Sequence, residues 1–229
     1  MNKPTLKIDI VSDVVCPWCY IGKRRLEKAL DQLADRFDFE LEYHPFELNP
    51  TMPAEGADQP QYLIRKFGGQ ARYEQITRQV TAVAAEEGLA FHFEKQLTAP
   101  NTRNAHRLIE LARQEGRQLP LVELLFRAYF TDGVDLSKQE NLVALAAQAG
   151  VDPEKAEKLL ASEEGRQAVV LAEKELQQLG ITGVPFYIID HRHGVSGAQA
   201  PETLIEAIEQ IGSTAAPGGE ACDVDGSNC

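Results

Sequence analysis

The sequence predicts an α/β fold in which a β-α-β half and a β-β-α half are separated by a large α-helical insertion. An alternating apolar run at 6–11 is followed by a charged helical stretch and by a second alternating run at 39–46. From 61 to 180 the signals are almost entirely helical, with glycines where helices are expected to end. Apolar and β-branched strand chemistry returns at 184–190, and a last helical pattern follows at 201–211.

The elements follow one another in a simple order. The first helix is expected to begin at Cys16 and to continue to about residue 36, so that the strands on either side of it form a parallel pair with a right-handed crossover. A proline-rich stretch at 49–60 breaks this pattern. The helices expected in the insertion span 61–67, 70–87, 102–115, 119–130, 139–148, 153–160 and 163–179. The run 193–196 is expected to pair antiparallel with the strand before it. The expected domains are residues 1–48 with 181–212, the insertion 49–180, and a mobile C-terminal tail at 213–229.

The tetrapeptide Cys16-Pro17-Trp18-Cys19 is the strongest functional signal, because it follows a strand-like run and opens a helix. With Cys16 as the N-cap, Pro17 takes the first helical position, where its missing N–H costs nothing. The N–H groups of Trp18 and Cys19 are then expected to point at the Cys16 sulfur and, with the helix dipole, to favour its thiolate. Cys19 returns to the same side of the first turn, where its sulfur is expected to be the more buried of the two. The motif predicts a redox pair in which Cys16 attacks and Cys19 resolves.

A Cys-x-x-Cys pair is also half of a structural zinc site, which needs four ligands. The other candidate ligands are Cys222 and Cys229 near the C-terminus and His191 with His193. These residues are far from the pair in the sequence, so a redox dithiol is favoured over zinc and over an inert packed pair. We expect no metal.

Composition narrows the range of partners. The chain has 229 residues and a formal net charge of −12, which argues against nucleic acid and anionic membrane surfaces as partners. No apolar stretch reaches the ~18 residues of a membrane span. The N-terminus runs into a strand pattern without the blocks of a secretory signal, so we expect a cytoplasmic protein, where a dithiol is more typical of a catalyst or sensor than of a structural crosslink. The short run Lys23-Arg24-Arg25 is expected to be a solvated helix face.

Four segments carry a family resemblance that extends over residues 6–211. They are Cys16-Pro17-Trp18-Cys19 with Tyr20-Ile21-Gly22, Pro45-Phe46-Glu47-Leu48-Asn49-Pro50, Asn101-Thr102 with Ala105-His106-Arg107-Leu108, and Gly180-Ile181-Thr182-Gly183-Val184-Pro185-Phe186. With this order of parts the sequence resembles thioredoxin-fold proteins, and more narrowly the DsbA-like oxidoreductases of the FrnE type.

The resemblance implies a thioredoxin-like fold, chemistry on protein thiols and disulfides, and a cis peptide bond before Pro185 beside the dithiol. A cis X-Pro bond turns the backbone groups of Val184 outward, where they can pair with an extended substrate segment as an added strand would. Val184, Pro185 and Trp18 are therefore the expected substrate-binding residues. No cofactor is expected, and glutathione and thioredoxin are candidate electron partners.

Two polar residues of these segments, His106 and Glu47, have alternative interpretations. His106 is expected to be a helix residue that orients the insertion against the core, with a general base as the alternative. Glu47 is expected to have a surface or helix-cap role, with a proton acceptor near Cys19 as the alternative. The remaining histidines are more typical of strand or turn residues: His44, His92, His191 and His193.

The tail contains a second pair of cysteines, Cys222 and Cys229, with six residues between them. About ten residues after the last expected helix span up to roughly 30 Å, which is enough to bring this pair to Cys16. We expect an accessory redox pair that resolves or shuttles disulfides. Incidental thiols and metal capture together with the two active-site sulfurs are the alternatives.

The leading hypothesis is an enzyme, a protein dithiol–disulfide oxidoreductase or isomerase that works through a mixed disulfide. One alternative is a glutathione-dependent isomerase or transferase, because the kappa-class transferases and 2-hydroxychromene-2-carboxylate isomerases resemble the same architecture. That chemistry needs one activating residue at the Cys16 position and leaves Cys19 dispensable. A second alternative is a chaperone in which the helical insertion holds unfolded chains and the dithiol acts as a redox gate.

Overall fold

The structure, a computed structural model, describes residues 3–214 and has the predicted mixed α/β architecture. The strands are β1 (Thr5–Ser12), β2 (Asp38–Pro45), β3 (Ala57–Asp58), β4 (Thr98–Ala99), β5 (Phe186–Ile189) and β6 (His193–Ser196). The α-helices are α1 (Pro17–Leu33), α2 (Gln59–Phe67), α3 (Gln70–Glu86), α4 (Arg103–Gln114), α5 (Gln118–Arg127), α6 (Gln139–Gln148), α7 (Pro153–Leu160), α8 (Arg166–Gln178) and α9 (Pro201–Thr214). Among these helices none has both the length and the apolar composition needed to cross a membrane.

The main sheet has the strand order β2-β1-β5-β6. β1 and β2 are parallel, with Ile8 opposite Leu41, and α1 connects them. β5 is antiparallel to β1, with Tyr187 opposite Ile10, and β6 is antiparallel to β5. The β-α-β half and the β-β-α half therefore meet at the β1–β5 pair, and α2 to α8 all lie between β2 and β5 in the chain. This confirms the predicted fold class.

The hydrophobic core runs without a break from the sheet into the insertion. Ile8 and Ile10 of β1 belong to the same buried cluster as Leu108 of α4 and Leu125 of α5. A ring cluster links α1 to the insertion directly: Tyr20 stacks on Phe126 with 4.9 Å between ring centroids. The helix that carries the dithiol is thereby held by both parts of the fold.

The structure differs from the predicted elements inside the insertion. β3 and β4 form a separate two-stranded antiparallel sheet that the sequence did not indicate, because each strand has only two residues. The expected helix at 119–130 ends as an α-helix at Arg127 and continues as a wider π-helical turn over Ala128–Asp132. By contrast, α6 and α7 have the expected bounds, and the Asp152 carboxylate caps α7 as predicted.

The expectation that Lys23-Arg24-Arg25 forms a solvated face is wrong. Lys23 is buried, and its ammonium pairs with Glu123 of α5 at 2.6 Å. Arg25 pairs with Glu87, just after α3, at 2.6 Å. These ion pairs hold α1 against the insertion. Their acidic partners lie roughly 60 and 100 residues away in the chain, so only the fold brings them next to the cations.

Candidate active site at the start of helix α1

Cys16 is the N-cap of α1 and Pro17 is its first residue, as expected. The Cys16 N–H donates to the Asp13 carbonyl at 3.0 Å, and the Cys16 carbonyl accepts from the Cys19 N–H at 3.0 Å. Contrary to expectation, no N–H of the first turn is hydrogen-bonded to the Cys16 sulfur. The first turn of the helix is therefore held by backbone hydrogen bonds, in which the Cys16 carbonyl accepts from the Cys19 N–H.

Both cysteines are free thiols and both are buried, with exposed fractions of 4% for Cys16 and 3% for Cys19. The expected contrast in burial between them is therefore absent. Burial raises the pKa of Cys19 well above its usual value, and the hydrogen bond with Cys16 and the charge of Cys16 raise it further. The hydroxyl of Ser12 and the backbone of Asp13 oppose this rise. Cys19 therefore holds its proton more tightly than an exposed thiol does.

The loop before β5 lies against the dithiol. The Val184–Pro185 peptide bond is cis, as the resemblance implied. The Cys16 thiol donates to the Val184 carbonyl, with 3.8 Å between sulfur and oxygen. The Val184 N–H has no hydrogen-bond partner within residues 3–214, and the Pro185 carbonyl is held by the Gly197 N–H at 2.8 Å. One backbone donor therefore remains unpaired beside Cys16.

Apolar surface surrounds the dithiol. Trp18 is 37% exposed and Leu48 is 38% exposed, which is high for large hydrophobic side chains. An apolar cavity of about 130 Å³ lies beside the first turn of α1. Its lining includes Val15, Pro17, Leu48, Met52, Tyr129 and Phe130. The site thus offers apolar contacts next to the Cys16 sulfur.

A buried polar network lies behind the dithiol. The Asp13 carboxylate accepts from the Leu48 N–H at 2.8 Å, and its Oδ1 is 3.6 Å from His106 Nε2 on α4. Burial lowers the pKa of His106, but the nearby Asp13 carboxylate and the charges of Glu47 and Glu173 outweigh burial and raise it overall. His106 Nε2 has no partner at hydrogen-bond distance, although it is fully buried.

Glu47 belongs to the same network. Its Oε1 accepts from Arg103 Nε at 2.8 Å, and its backbone N–H donates to the Glu173 carboxylate at 2.5 Å. Burial raises the pKa of Glu47, and the hydrogen bond from Arg103 opposes this rise. The pKa of Glu173 is also raised, mainly by burial and then by the negative charge of Glu47.

Two members of this network were missed from the sequence. The only signal for Asp13 was its position, three residues before the Cys16-Pro17-Trp18-Cys19 motif. Glu173 had none, because its helix is rich in polar and charged residues and one buried glutamate in it looks like any other.

A family model described as "DSBA-like thioredoxin domain" matches residues 7–209. The chain belongs to this family. A solved structure of a probable DsbA oxidoreductase, SCO1869, from Streptomyces coelicolor is 34% identical, with a TM-score of 0.86 over 96% of this chain and 94% of that one. Protein YwbO from Bacillus subtilis is 26% identical over 208 residues, which cover 89% of this chain and 96% of YwbO. The cytosolic disulfide reductase DsbM from Pseudomonas aeruginosa shares the fold, with 17% identity and a TM-score of 0.64 over 91% of this chain and 100% of DsbM.

Within the described part of this DSBA-like chain, the one group of three side chains that brings metal-ligand atoms close together is Asp9, Glu42 and His44 on β1 and β2. His44 Nε2 is already bonded to Asp9 at 2.8 Å, and Lys7 also pairs with Asp9 at 3.2 Å. The group does not include the dithiol, so the zinc alternative finds no third ligand beside the two sulfurs in residues 3–214.

The remaining histidines lie largely where the sequence indicated. His44 is on β2, His191 is in the turn between β5 and β6, and His193 begins β6. The predicted accessory pair, Cys222 and Cys229, lies outside the described residues.

Proposed function

We propose that this protein is a thiol–disulfide oxidoreductase or isomerase that acts on protein disulfides through Cys16 and Cys19. The observation that carries the proposal is the placement of two free thiols on the first turn of α1, directly beside the unpaired Val184 N–H. Membership of the DSBA-like family supports thiol oxidoreductase chemistry.

The reaction needs two exchanges. The Cys16 thiolate attacks one sulfur of a substrate disulfide, the substrate S–S bond breaks, and the other substrate sulfur leaves as a thiolate. The Cys19 thiolate then attacks the Cys16 sulfur, which forms the Cys16–Cys19 disulfide and releases the first substrate sulfur. The substrate gains two electrons and the dithiol loses two. The reverse sequence oxidises a substrate, and attack by a released substrate thiolate on another sulfur isomerises it.

Substrate recognition follows from the groups around the sulfur. When Cys16 is deprotonated, its bond to the Val184 carbonyl is lost, so this carbonyl and the free Val184 N–H both become available to an extended peptide. Trp18 and Leu48 supply apolar contacts at the rim. Because Cys16 is only 4% exposed, the substrate has to displace the residues that cover the sulfur, which favours flexible or unfolded segments.

The partners in this proposal are protein thiols and disulfides, with glutathione or thioredoxin as the source or acceptor of electrons and no bound cofactor. DsbM, which shares the fold, has also been solved with GSH. The charge of −12 disfavours nucleic acid and anionic membranes as partners. We propose the cytoplasm as its location.

The test is turnover in insulin reduction and in reactivation of scrambled ribonuclease, with glutathione or a thioredoxin system as reductant. Cys16→Ser is expected to abolish turnover, and Cys19→Ser is expected to accumulate a mixed disulfide with substrate that thiol reductant releases. The double variant Cys222→Ser, Cys229→Ser leaves the dithiol intact, so any turnover that it loses is assigned to the tail pair. Full activity in Cys16→Ser contradicts the proposal.

The same variants separate the alternatives. Isomerase activity that requires glutathione and survives in Cys19→Ser favours the glutathione-dependent enzyme. The contacts of Ser12 and Asp13 with the Cys19 sulfur argue against a dispensable Cys19. Suppression of aggregation by the double variant Cys16→Ser, Cys19→Ser favours a chaperone.

The tail pair is proposed as an accessory redox couple, and the position of α9 distinguishes its two cysteines. Gly212 of α9 packs on the Phe37 ring, near the end of α1 opposite the dithiol. The 17 residues of α1 place this point about 25 Å from Cys16. Cys222, eight residues beyond α9, reaches at most about 28 Å, whereas Cys229, fifteen residues beyond, reaches about 50 Å. Peptide mapping of oxidised Cys19→Ser is therefore expected to find the link from Cys16 mainly at Cys229, and a link mainly at Cys222 contradicts this.

A further inference from the structure

The resolving step requires Cys19 to lose a proton inside the protein. Cys19 is 3% exposed, and burial is the main reason that its pKa is raised. Solvent therefore has little access to the thiol that must become a thiolate. Among the described residues, the groups that act on the pKa of the Cys19 thiol are the Cys16 sulfur, the Ser12 hydroxyl and the Asp13 backbone. Of these, the Ser12 hydroxyl is able both to accept and to donate a proton.

Ser12 also lines a small cavity. Its volume is about 10 Å³, which is roughly the space that one water molecule needs. It is lined by Ser12, Val14, Tyr43, His44, His106, Ile109 and Val122. Two of the lining residues suit a bound water: Ser12 has a hydroxyl, and His106 has a buried Nε2 with no hydrogen-bond partner. An unpartnered polar atom in a buried wall is the usual mark of an ordered water.

We propose that Cys19 passes its proton to His106 through the Ser12 hydroxyl and one water in this cavity. This proposal rests on the proposed function, since it concerns the second exchange. The Cys19 proton moves to Ser12 Oγ, the Ser12 proton moves to the water, and a water proton moves to His106 Nε2. The Cys19 thiolate then forms the bond to Cys16 and expels the substrate sulfur as a thiolate, so protons and electrons balance.

The surroundings of His106 suit an acceptor. The groups that face it are Asp13 in the loop after β1, Tyr43 and His44 on β2, Glu47 after β2, Arg103 on its own helix and Glu173 on α8. The carboxylates stabilise the imidazolium that forms, and their charges raise the pKa of His106 despite its burial. A raised pKa means that the His106 imidazole binds a proton more tightly than a free histidine does.

Neighbouring groups suit the role less well. Tyr187 also faces the two sulfurs, but burial and the thiolate charges raise its pKa, so its phenol keeps its proton at neutral pH. Glu47 is held by Arg103 and does not line the cavity that Ser12 shares. His106 does not touch the reacting sulfur, so it acts through Ser12.

The test isolates the second exchange. Reaction of the reduced protein with 5,5′-dithiobis(2-nitrobenzoic acid) loads Cys16 with a thionitrobenzoate, and attack by Cys19 releases a second coloured thiolate that stopped-flow absorbance records. The rate of this second phase is measured from pH 5 to pH 9 in the wild type, Ser12→Ala, His106→Gln and His44→Gln. All of these proteins also carry Cys222→Ser and Cys229→Ser, so that no tail thiol reacts with the reagent or with Cys16. Cys19→Ser in the same background has no second phase and sets the baseline.

The wild-type rate is expected to fall in acid, with the fall set by protonation of His106. Ser12→Ala and His106→Gln are expected to slow the second phase at pH 7 about tenfold and to leave a rate that rises steadily with pH, because only hydroxide then removes the proton. His44→Gln is the matched control: it lines the same cavity, its Nε2 is already bonded to Asp9, and its profile is expected to match the wild type. If His106→Gln does not fold, Ser12→Ala decides alone, since its change is one atom.

The relay is overturned if the rate of the second phase depends on pH in Ser12→Ala, or in folded His106→Gln, as it does in the wild type. It is also overturned if the fall of this rate in acid disappears in His44→Gln. These results leave the proposed function intact, because the second phase still occurs. Absence of a second phase in the wild type contradicts the proposed function itself.

Discussion

The ion pairs between α1 and Glu123 of α5 allow a prediction of how much one carboxylate contributes to the free energy of unfolding. The Glu123 carboxylate accepts from Lys23 at 2.6 Å, from Arg24 Nη1 at 3.0 Å and from the Tyr20 hydroxyl at 2.9 Å. Burial opposes its ionisation, but Arg24 and Lys23 outweigh burial and lower the pKa of Glu123 from 4.5 to about 2. At about 1.4 kcal/mol for each tenfold change in proton affinity, this difference corresponds to at most about 3.4 kcal/mol. Because the side chain is 31% exposed, solvent screening reduces the expected contribution to about 2 kcal/mol.

Glu123→Gln is therefore expected to lower the free energy of unfolding by about 2 kcal/mol at pH 7. A lowered carboxyl pKa stabilises the fold above the unfolded value of 4.5, and the contribution is lost as pH falls toward about 2. At pH 3 less than half of the penalty should remain. The measurement is urea unfolding of the reduced protein at pH 7 and pH 3, followed by circular dichroism and by Trp18 fluorescence.

The matched control is Glu27→Gln, which removes another carboxylate that pairs with Lys23 and Arg24. Glu27 is 41% exposed and pairs only within α1, so its loss should cost about 0.5 kcal/mol or less. An equal penalty for Glu123→Gln at both pH values would show that packing, and not charge, accounts for the effect. A penalty at pH 7 no larger than that of Glu27→Gln would refute the reasoning.

Three further substitutions test the packing around the site. Gly22→Ala places a methyl group 2.4 Å from the hydroxyl of buried Tyr187. The resulting overpacking should cost about 1–3 kcal/mol, which outweighs the gain of about 1 kcal/mol in helix propensity. The variant should therefore melt at a lower temperature than the wild type, and an equal or higher melting temperature would contradict this. Phe126→Ala removes a fully buried ring that stacks on Tyr20 of α1, and it should lower the free energy of unfolding in urea by about 3–5 kcal/mol. The control is Leu97→Ala, which should cost less than about 0.5 kcal/mol because the Leu97 side chain is 71% exposed. Similar losses in the two variants would disprove the role of the ring cluster. Asp152→Ala removes the cap of α7 and should cost about 1 kcal/mol, with Asp152→Asn recovering most of it.

Patterns within a few residues were enough to predict the fold class and the dithiol. Cys16-Pro17-Trp18-Cys19 at the start of α1 depends on N-cap and first-turn preferences, which act between residues at most four apart. The bounds of α6 and α7 follow from the same kind of signal. Period-two alternation likewise indicated β1 and β2, because one face of each strand packs on the core.

The sequence by itself thus determined where the two thiols of the dithiol lie and which fold carries them. Only the tertiary structure decided the depth of Cys16, the pairing of Lys23 with Glu123, and the meeting of Ser12 with His106 around one small cavity. The burial of a group and the charges around it depend on segments about a hundred residues apart, which pack together only once the whole core has formed. No local pattern records those neighbours, and they set the proton affinities on which the chemistry of the site depends.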